Sequence, residues 1–389
     1  LNWKIARYGM MCSSVAINAA DERPVRILYI LTSLGIGGAE KQAIDLAEQM
    51  KARGHVVALM VLKHVAEEWP TKLPVFRLNL KKTPIGVLRG LRFAQGFLAI
   101  FRPDIVHSHT FPANIFGRLL RMMPRSEYPI PKLVNTIHNI NEGGWHRMLA
   151  YRLTDSIADR ITAVSAAAAE RFINLKAVSA AKTSILTNGI DTNHFTPDRN
   201  RRKQIRAQML ASQGDKTFIW IAVGRIVPAK DYPNLLAAFA QVLAKEPTAL
   251  LCVAGEGDST PYEGAANLRW LGLRPDIDDL LDAADGFVLS SAWEGMPLAL
   301  GEAMAMEKLC VATNVGGVSE LIGTAGTIVP PYNSEALAEA MLATMHFTQW
   351  QQKSQGQEAR RRIQAQFSIQ AKAAEWAQLY AELTQDPAA

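Results

Sequence analysis

The strongest constraint on this chain is a strand, glycine turn and helix unit near its start that then recurs along almost its whole length. Val25-Arg26-Ile27-Leu28-Tyr29-Ile30-Leu31 reads as a buried strand, Thr32 to Gly38 as a turn and Ala39 to Arg53 as an amphipathic helix. Strands follow near His55 to Leu62, Val75 to Leu80, Asp104 to His109, Lys132 to His138 and Arg160 to Val164, with helical patterns between most of them. Asn188-Gly189 and Pro197 interrupt this series, and the basic run Arg199 to Lys203 reads as a solvated linker or a first helix. A second series starts at Phe218 to Gly224. Its strands continue at Ala249 to Ala254, Leu268 to Leu271, Gly286 to Leu289, Cys310 to Thr313 and Thr327 to Val329. Helices at Pro233 to Lys245, Ile277 to Ala284, Pro297 to Met306 and Ser334 to Met345 fill the gaps.

Alternation of this kind predicts an α/β protein with parallel sheets covered by helices on both faces. At 389 residues the chain is too long for one ordinary core. It is therefore expected to form two doubly wound units in tandem, facing each other across a cleft. The expected divisions are an extension over residues 1–20, a first domain over 21–195, a second over 196–365 and a closing helix over 366–389. Helical patterns over Gln349 to Phe367 and Ile369 to Leu383 are long enough to brace both domains.

Composition excludes several classes. With 49% hydrophobic and 20% charged residues the chain is globular, and no run of about 18 apolar residues predicts a membrane-spanning helix. Cys12, Cys252 and Cys310 form no C-x-x-C pair and read as free thiols of a reducing compartment. Lys4, Arg7 and the apolar stretch from Met10 to Ile17 imitate a signal peptide, but the stretch is short and broken by Ser13-Ser14. A misassigned start, with Met10 or Met11 as the true one, is the expectation. Residues 1–190 hold 25 Lys and Arg against 13 Asp and Glu, whereas the remainder holds 17 against 23. A basic first half suits phosphate or anionic lipid; no nucleic-acid motif accompanies it, so no nucleic acid partner is expected.

Candidate site residues all fall at predicted strand ends. In Ser290 to Met306, Glu294 lies in the loop and Glu302 in the helix, with Pro297 in the first helical turn. The N–H groups of Met296 to Ala299, Leu298 among them, would then present the positive end of a helix dipole to a diphosphate. Arg225 and Lys230 share a loop before another helix, where two cations call for an anion. Gly35-Ile36-Gly37-Gly38-Ala39-Glu40 is nearly G-x-G-x-x-G, but Glu40 argues against a dinucleotide; it reads as a tight turn or as a loop approaching a phosphate. Asp276-Ile277-Asp278-Asp279 reads as helix N-terminal compensation rather than a metal site. His109 and His138 end strands, whereas His107 alternates inward as core. Lys81-Lys82 and Ile85 to Arg102 read as a helix packed on its sheet or as a peripheral contact with an anionic membrane.

Taken together these elements resemble glycosyltransferase family 4, the retaining GT-B enzymes. The resemblance rests on Gly37-Gly38-Ala39-Glu40, Thr136-Ile137-His138, Asn188-Gly189-Ile190-Asp191, Val223-Gly224-Arg225 with Lys230, Leu271-Gly272 and the E-x7-E element of Glu294 and Glu302. Val315-Gly316-Gly317-Val318-Ser319-Glu320 extends it. It implies that Glu302 binds the nucleotide ribose, that Arg225 and Lys230 bind the diphosphate, and that Glu294 binds the donor sugar. His138 would lie beside the reacting sugar, the Gly37-Gly38 loop would close over it, and His109 is a candidate for the acceptor side. The implied activity moves a hexose or N-acetylhexosamine from a nucleotide-sugar, expected to be a UDP-sugar, to a lipid-linked oligosaccharide or cell-surface glycan. Such a reaction belongs to the synthesis of a polysaccharide such as lipopolysaccharide or capsule. It needs neither metal nor cofactor, and is expected in the cytoplasm or on the inner face of the membrane. The alternatives are a nucleotide-sugar epimerase of the same fold and an inactive donor-binding subunit. Two departures stand beside Glu302: Gly301 replaces an apolar helix residue, which is expected to loosen the helix, and Glu307-Lys308-Leu309 replaces a Gly-x-Pro turn, which is expected to strain Glu307.

Overall fold

The computed structural model describes residues 23–124, 130–210, 217–262 and 264–385. The extension over residues 1–20, Cys12 included, lies outside the described residues. The first sheet contains β1 Arg26–Leu31, β2 Val56–Val61, β3 Val75–Arg77, β4 Ile105–His109, β5 Lys132–Ile137, β6 Arg160–Ala163 and β7 Thr183–Ile185. The second contains β8 Ile219–Val223, β9 Leu250–Ala254, β10 Leu268–Gly272, β11 Gly286–Leu289, β12 Leu309–Thr313 and β13 Thr327–Val329. Their orders are 3-2-1-4-5-6-7 and 10-9-8-11-12-13, parallel throughout. Each order reverses once, between β1 and β4 and between β8 and β11.

Helices of the first domain are α1 Gly38–Ala52, α2 Pro84–Phe101, α3 Thr110–Met122, α4 Trp145–Leu153 and α5 Ala166–Asn174. Those that follow are α6 Arg199–Leu210, α7 Tyr232–Lys245, α8 Ile277–Ala283, α9 Leu298–Ala305, α10 Val318–Ile322, α11 Ser334–Met345, α12 Gln349–Gln366 and α13 Ile369–Thr384. The central strands are apolar on both faces because helices cover both, which is why β1 and β4 are buried nearly end to end. On α1 the buried Ala43, Ile44, Ala47 and Met50 recur at helical spacing and meet the core of the first sheet.

The structure differs from the sequence reading at β7 and at Pro297. The short edge strand β7 has three residues, too few to announce a period of two. Of the two readings of the basic run from Arg199, the helix is the one found, α6. Arg201 pairs with Asp278 and Asp279, and Arg202 and Arg206 pair with Asp285, so these cations fasten α6 to the second domain. Pro297 is not in the first turn of α9; it is the N-cap, with ψ of 112°, and the helix starts at Leu298. Gly301 has a packing reason, since a Cβ there would lie 2.7 Å from Ile190 Cδ1: the missing side chain is the space Ile190 occupies. Glu307 does take the left-handed conformation, φ 59°, closing α9 with bonds from its N–H to Met304 and from Lys308 N–H to Ala303.

The chain crosses between domains twice, and the crossings pair. Ile190 N–H donates to the Phe367 carbonyl at 2.7 Å, and Ile369 N–H donates to Ile190 at 2.9 Å. Before this point α12 packs on α9 of the second domain; beyond it α13 packs on α1 of the first. Trp376 and Tyr380 of α13 enter the core beside Tyr29, and the Trp376 ring lies 4.6 Å from that of His107. The last helix is thus part of the first domain's core. Trp376→Ala should lower stability in urea unfolding by about 3–5 kcal/mol. Trp350→Ala, at a side chain 76% exposed, should change it by less than about 0.5 kcal/mol.

Candidate active site

Ligands of open α/β sheets bind beyond the carboxyl ends of the strands where the order reverses. Here the two reversal points face each other and enclose a cavity of about 630 Å³. Gly37, Gly38, His138, Arg225, Lys230, Glu294, Leu298 and Glu302 all border it. His109 is not a wall of the cavity; it lies buried behind His138.

On the second domain's side, β11 delivers Glu294. Its Oε1 accepts from Ser291 Oγ at 2.7 Å and from Lys230 Nζ at 2.6 Å, so the two residues are fixed against each other. Gly224 lets Lys230 pass, because a Cβ there would lie 2.7 Å from Lys230 Cε. Ser290 Oγ and Ala292 N–H bond the carbonyls of Lys230 and Ala229, locking the two strand-end loops together. Arg225 acts on Glu40 of the glycine loop; burial raises the Glu40 pKa, which a backbone N–H and Arg225 oppose only in part. At α9 the N-cap Pro297 has no side-chain acceptor for the first N–H groups of the helix, and Leu298 and Ala299 border the cavity. The wall is a helix N-terminus flanked by two cations and two carboxylates, an arrangement suited to an anion bearing hydroxyl groups.

Glu302 lies one turn into α9 and is buried. Burial raises its pKa to about 7; Lys41 of α1 opposes this, and Asp45 and Asp278 add to it. Burial also works against the Lys41 ammonium, but Asp45 and Glu302 outweigh it and its pKa is raised. Lys41 does not stand out in the sequence, and Asp278 stands out only as part of a helix start, because only the fold brings them to Glu302.

On the first domain's side, β5 ends at His138, whose backbone N–H donates to Glu142 Oε1 at 3.0 Å while its Nε2 lies 2.8 Å from His109 Nδ1. Tyr151 of α4 donates to Glu142 Oε2 at 2.7 Å. Burial raises the Glu142 carboxyl to about 7 and lowers His138 to about 4, which keeps the imidazole neutral. Sequence reasoning missed Glu142; Gly143-Gly144 after it marks only a loop, and its partner Tyr151 is a tertiary neighbour. Thr110, also bordering the cavity, holds φ 69°, an outlying conformation for a β-branched residue, with its hydroxyl 2.9 Å from that of Thr32. His107 is core: Nδ1 meets the Tyr380 hydroxyl and Nε2 the Thr136 hydroxyl, each at 2.6 Å. Asp276 pairs with Arg274, and Asp278 and Asp279 pair with Arg201. Among the described residues no group of three or more His, Cys, Asp or Glu is arranged to hold a metal ion.

The raised Glu302 carboxyl has a stability consequence. Its folded pKa lies above the unfolded value of 4.5, so the ligand-free protein loses stability as pH rises from below 4.5 through about 7. Glu302→Gln should therefore unfold at higher urea than the parent at pH 8, by roughly 2–3 kcal/mol, with the difference vanishing near pH 4.5. An equal difference at both pH values would refute the burial account.

Comparison with known proteins agrees with this architecture. Residues 36–194 match the family model described as Glycosyltransferase Family 4, and residues 217–346 match that described as Glycosyl transferases group 1. An Escherichia coli UDP-Gal:alpha-D-GlcNAc-diphosphoundecaprenol alpha-1,3-galactosyltransferase is 29% identical over 238 residues, 56% of this chain and 60% of that enzyme. The match thus spans less than two thirds of that relative's length. A D-inositol 3-phosphate glycosyltransferase of Kineococcus radiotolerans is 25% identical, with 91% of this chain and 92% of that protein covered. Among solved structures, Anabaena HepE in complex with UDP-glucose superimposes with a TM-score of 0.79 at 22% identity, over 92% of this chain and 100% of that one. Two Rossmann-like domains facing a cleft at their reversal points are the GT-B fold, and with both family models matched the chain belongs to glycosyltransferase family 4.

Proposed function

We propose that the protein is a retaining glycosyltransferase of polysaccharide synthesis. It moves a hexose or N-acetylhexosamine from a UDP-sugar to a lipid-linked or cell-surface glycan. The observation that carries the reading is the wall formed by Arg225, Lys230, Glu294, Glu302 and the uncapped start of α9 around one cavity. The E. coli relative, named for UDP-Gal and a diphosphoundecaprenol-linked acceptor, supports the donor and acceptor classes. In this reading the second domain, over 196–365, holds the donor and the first, over 21–195, holds the acceptor. Arg225, Lys230 and the α9 N–H groups beside Leu298 take the diphosphate; Glu302 accepts from the ribose and Glu294 from the sugar. The Gly37-Gly38 loop covers the donor, with His138 beside the reacting carbon.

The acceptor hydroxyl attacks the anomeric carbon from the face the diphosphate leaves. Its proton passes to a departing phosphate oxygen as the sugar–phosphate bond breaks and the new glycosidic bond forms with configuration kept. The cations and the helix N-terminus stabilise the charge growing on the diphosphate, the part a metal would otherwise fill, so turnover should persist in EDTA. A thermal-shift panel of UDP, GDP and ADP with their sugars should single out UDP, since a ligand at ~100 times its Kd stabilises by ~2.7 kcal/mol. Glu302→Ala should then raise donor KM, and His138→Ala should mainly lower kcat. Unchanged kinetics in Glu302→Ala would overturn the site assignment, and release of free sugar nucleotide without transfer would overturn the reaction.

The same reading includes a peripheral contact with an anionic membrane. Among the described residues no helix is long and apolar enough to cross a membrane. On α2, Gly90, Leu91, Ala94 and Leu98 face the core, whereas Ile85, Leu88, Phe93 and Ile100 are exposed beside Arg89 and Arg92. An outward face on which apolar side chains and cations interleave suits anionic headgroups. The protein should sediment with vesicles containing phosphatidylglycerol and much less with pure phosphatidylcholine. Phe93→Glu with Ile100→Glu should abolish sedimentation; no dependence on anionic lipid would refute the contact.

A further inference from the structure

His138 has two ring nitrogens, and His109 occupies one of them. Nε2 of His138 lies 2.8 Å from Nδ1 of His109. Among the described residues Nδ1 of His138 has no protein partner, and His138 borders the cavity. Nδ1 is therefore the nitrogen available to a ligand. We propose that His109 is a positioning residue that donates its Nδ1–H to His138 Nε2, fixing His138 as the tautomer that carries its proton on Nδ1 and presents a donor to the cavity.

One proton lies between two neutral rings, so two arrangements compete, and the far side of His109 decides between them. Its Nε2 is buried with no hydrogen-bond partner. If His109 accepted at Nδ1, that Nε2 would have to carry the proton, leaving a buried N–H without an acceptor. If His109 donates from Nδ1, Nε2 keeps only a bare lone pair. Buried N–H groups without acceptors are the rarer of the two kinds of orphan in folded proteins, and leaving one unmade costs its full desolvation. The second arrangement is therefore favoured.

The surroundings remove the other ways of satisfying His109. Its ring is stacked on Tyr29 at 5.7 Å and lies 4.0 Å from His107. Neither neighbour offers it a free polar atom, because both belong to a chain of hydroxyls and imidazole. The Thr162 hydroxyl donates to the Asn135 carbonyl at 3.5 Å. Tyr29 bonds Tyr380, Tyr380 bonds His107 Nδ1, His107 Nε2 bonds Thr136 and Thr136 bonds Thr162. His107 is thereby committed at both nitrogens. Burial holds His107 and His109 well below the usual imidazole range, so neither supplies a second proton. A His138 protonated on Nδ1 donates to an oxygen of a ligand and is not a proton acceptor there. This use of the tautomer rests on the reading that His138 touches the donor sugar; the tautomer itself does not.

The full-length protein labelled with ¹⁵N-histidine tests this by NMR, with the His138 ring assigned by its loss in His138→Gln. The expected spectrum has His138 protonated on Nδ1 and bare on Nε2. His109→Asn, whose amide nitrogen reaches about the place of Nδ1, should keep that tautomer; His109→Leu should lose it. If sugar transfer is measured alongside, His109→Leu should lower kcat by about 10- to 100-fold, the range seen when an outer partner orienting a functional histidine is removed. Donor KM should stay near its parent value, and His109→Asn should recover most of the loss. If His109→Leu does not fold, the parent spectrum and the comparison of His109→Asn with His109→Gln, whose amide reaches past that position, still decide. A parent His138 protonated on Nε2, or equal losses in the Asn and Leu variants, would overturn the proposal. The predicted tautomer in a protein that transfers no sugar would leave the inference standing and remove the function proposed above.

Discussion

Gly295 lies against the carbonyl oxygen of His138, so close that a Cβ at residue 295 would overlap that atom. The site depends on this contact, because it is where the strand-end loops of the two sheets touch. Asn139 and Gly295 pair as an antiparallel bridge between domains, and Asn188 Nδ2 donates to the Met296 carbonyl one residue further along. Behind the contact, Gly316 and Gly317 leave room for the backbone of Glu294 and Gly295, and Gly317 N–H donates to the Gly295 carbonyl at 2.7 Å. The loops that carry Glu294 and His138 meet because three glycines omit their side chains. The E-x7-E spacing alone would not bring them together.

The cleft carries charge that the ligand-free fold satisfies only partly. Lys230 and Glu294 neutralise each other, which limits the cost of holding them largely out of water. Among the described residues Glu302 and Glu142 have no cation at salt-bridge distance, and burial moves both toward neutrality near pH 7. Hydrogen bonds donated to such a carboxyl restore its charged form. Glu142 already receives two, from His138 N–H and Tyr151, and is structural support for the β5 loop. Among the described residues Glu302 has no such donors, and it borders the cavity, which leaves its oxygens to a ligand. Two carboxyls with similar pKa values both border the cavity but differ in bonding, Glu142 being held by two donors of the protein.

How much of this the sequence carries follows from the range of each interaction. The sheets were legible because apolar runs with a period set by backbone geometry are local, and β1, β4, β8 and β11 fall where those runs stand. Glu294, Glu302, Arg225 and Lys230 were legible because each lies within one loop or helix of a strand end. Glu142, Lys41 and the place of His109 behind His138 were not, because their partners come from α4, from the facing domain and from a neighbouring strand. Pro297 shows the limit of a local rule. Its φ of −74° suits either a first turn or an N-cap, and only ψ, set by the turn through Gly295 and Met296, separates them.

Gly301 shows the reverse, a residue whose local cost is real and whose tertiary reason lies far away in sequence. In a helix it is less favourable than alanine by about 0.5–1 kcal/mol. Its position is where Ile190 reaches α9, and Ile190 is also the residue whose N–H and carbonyl pair with Phe367 and Ile369 as the chain crosses back to the first domain. Gly189 beside it has no room for a side chain either, since a Cβ would lie 2.7 Å from Ile369 Cα. The outward and return crossings, and the helix that carries Glu302, therefore meet at one packed point. A rotation of one domain against the other has to pass through Ile190, and Ile190 rests on the residue directly before Glu302. The glycine that a local reading takes as weakness in the helix is what joins the position of that carboxyl to the relative placement of the two domains.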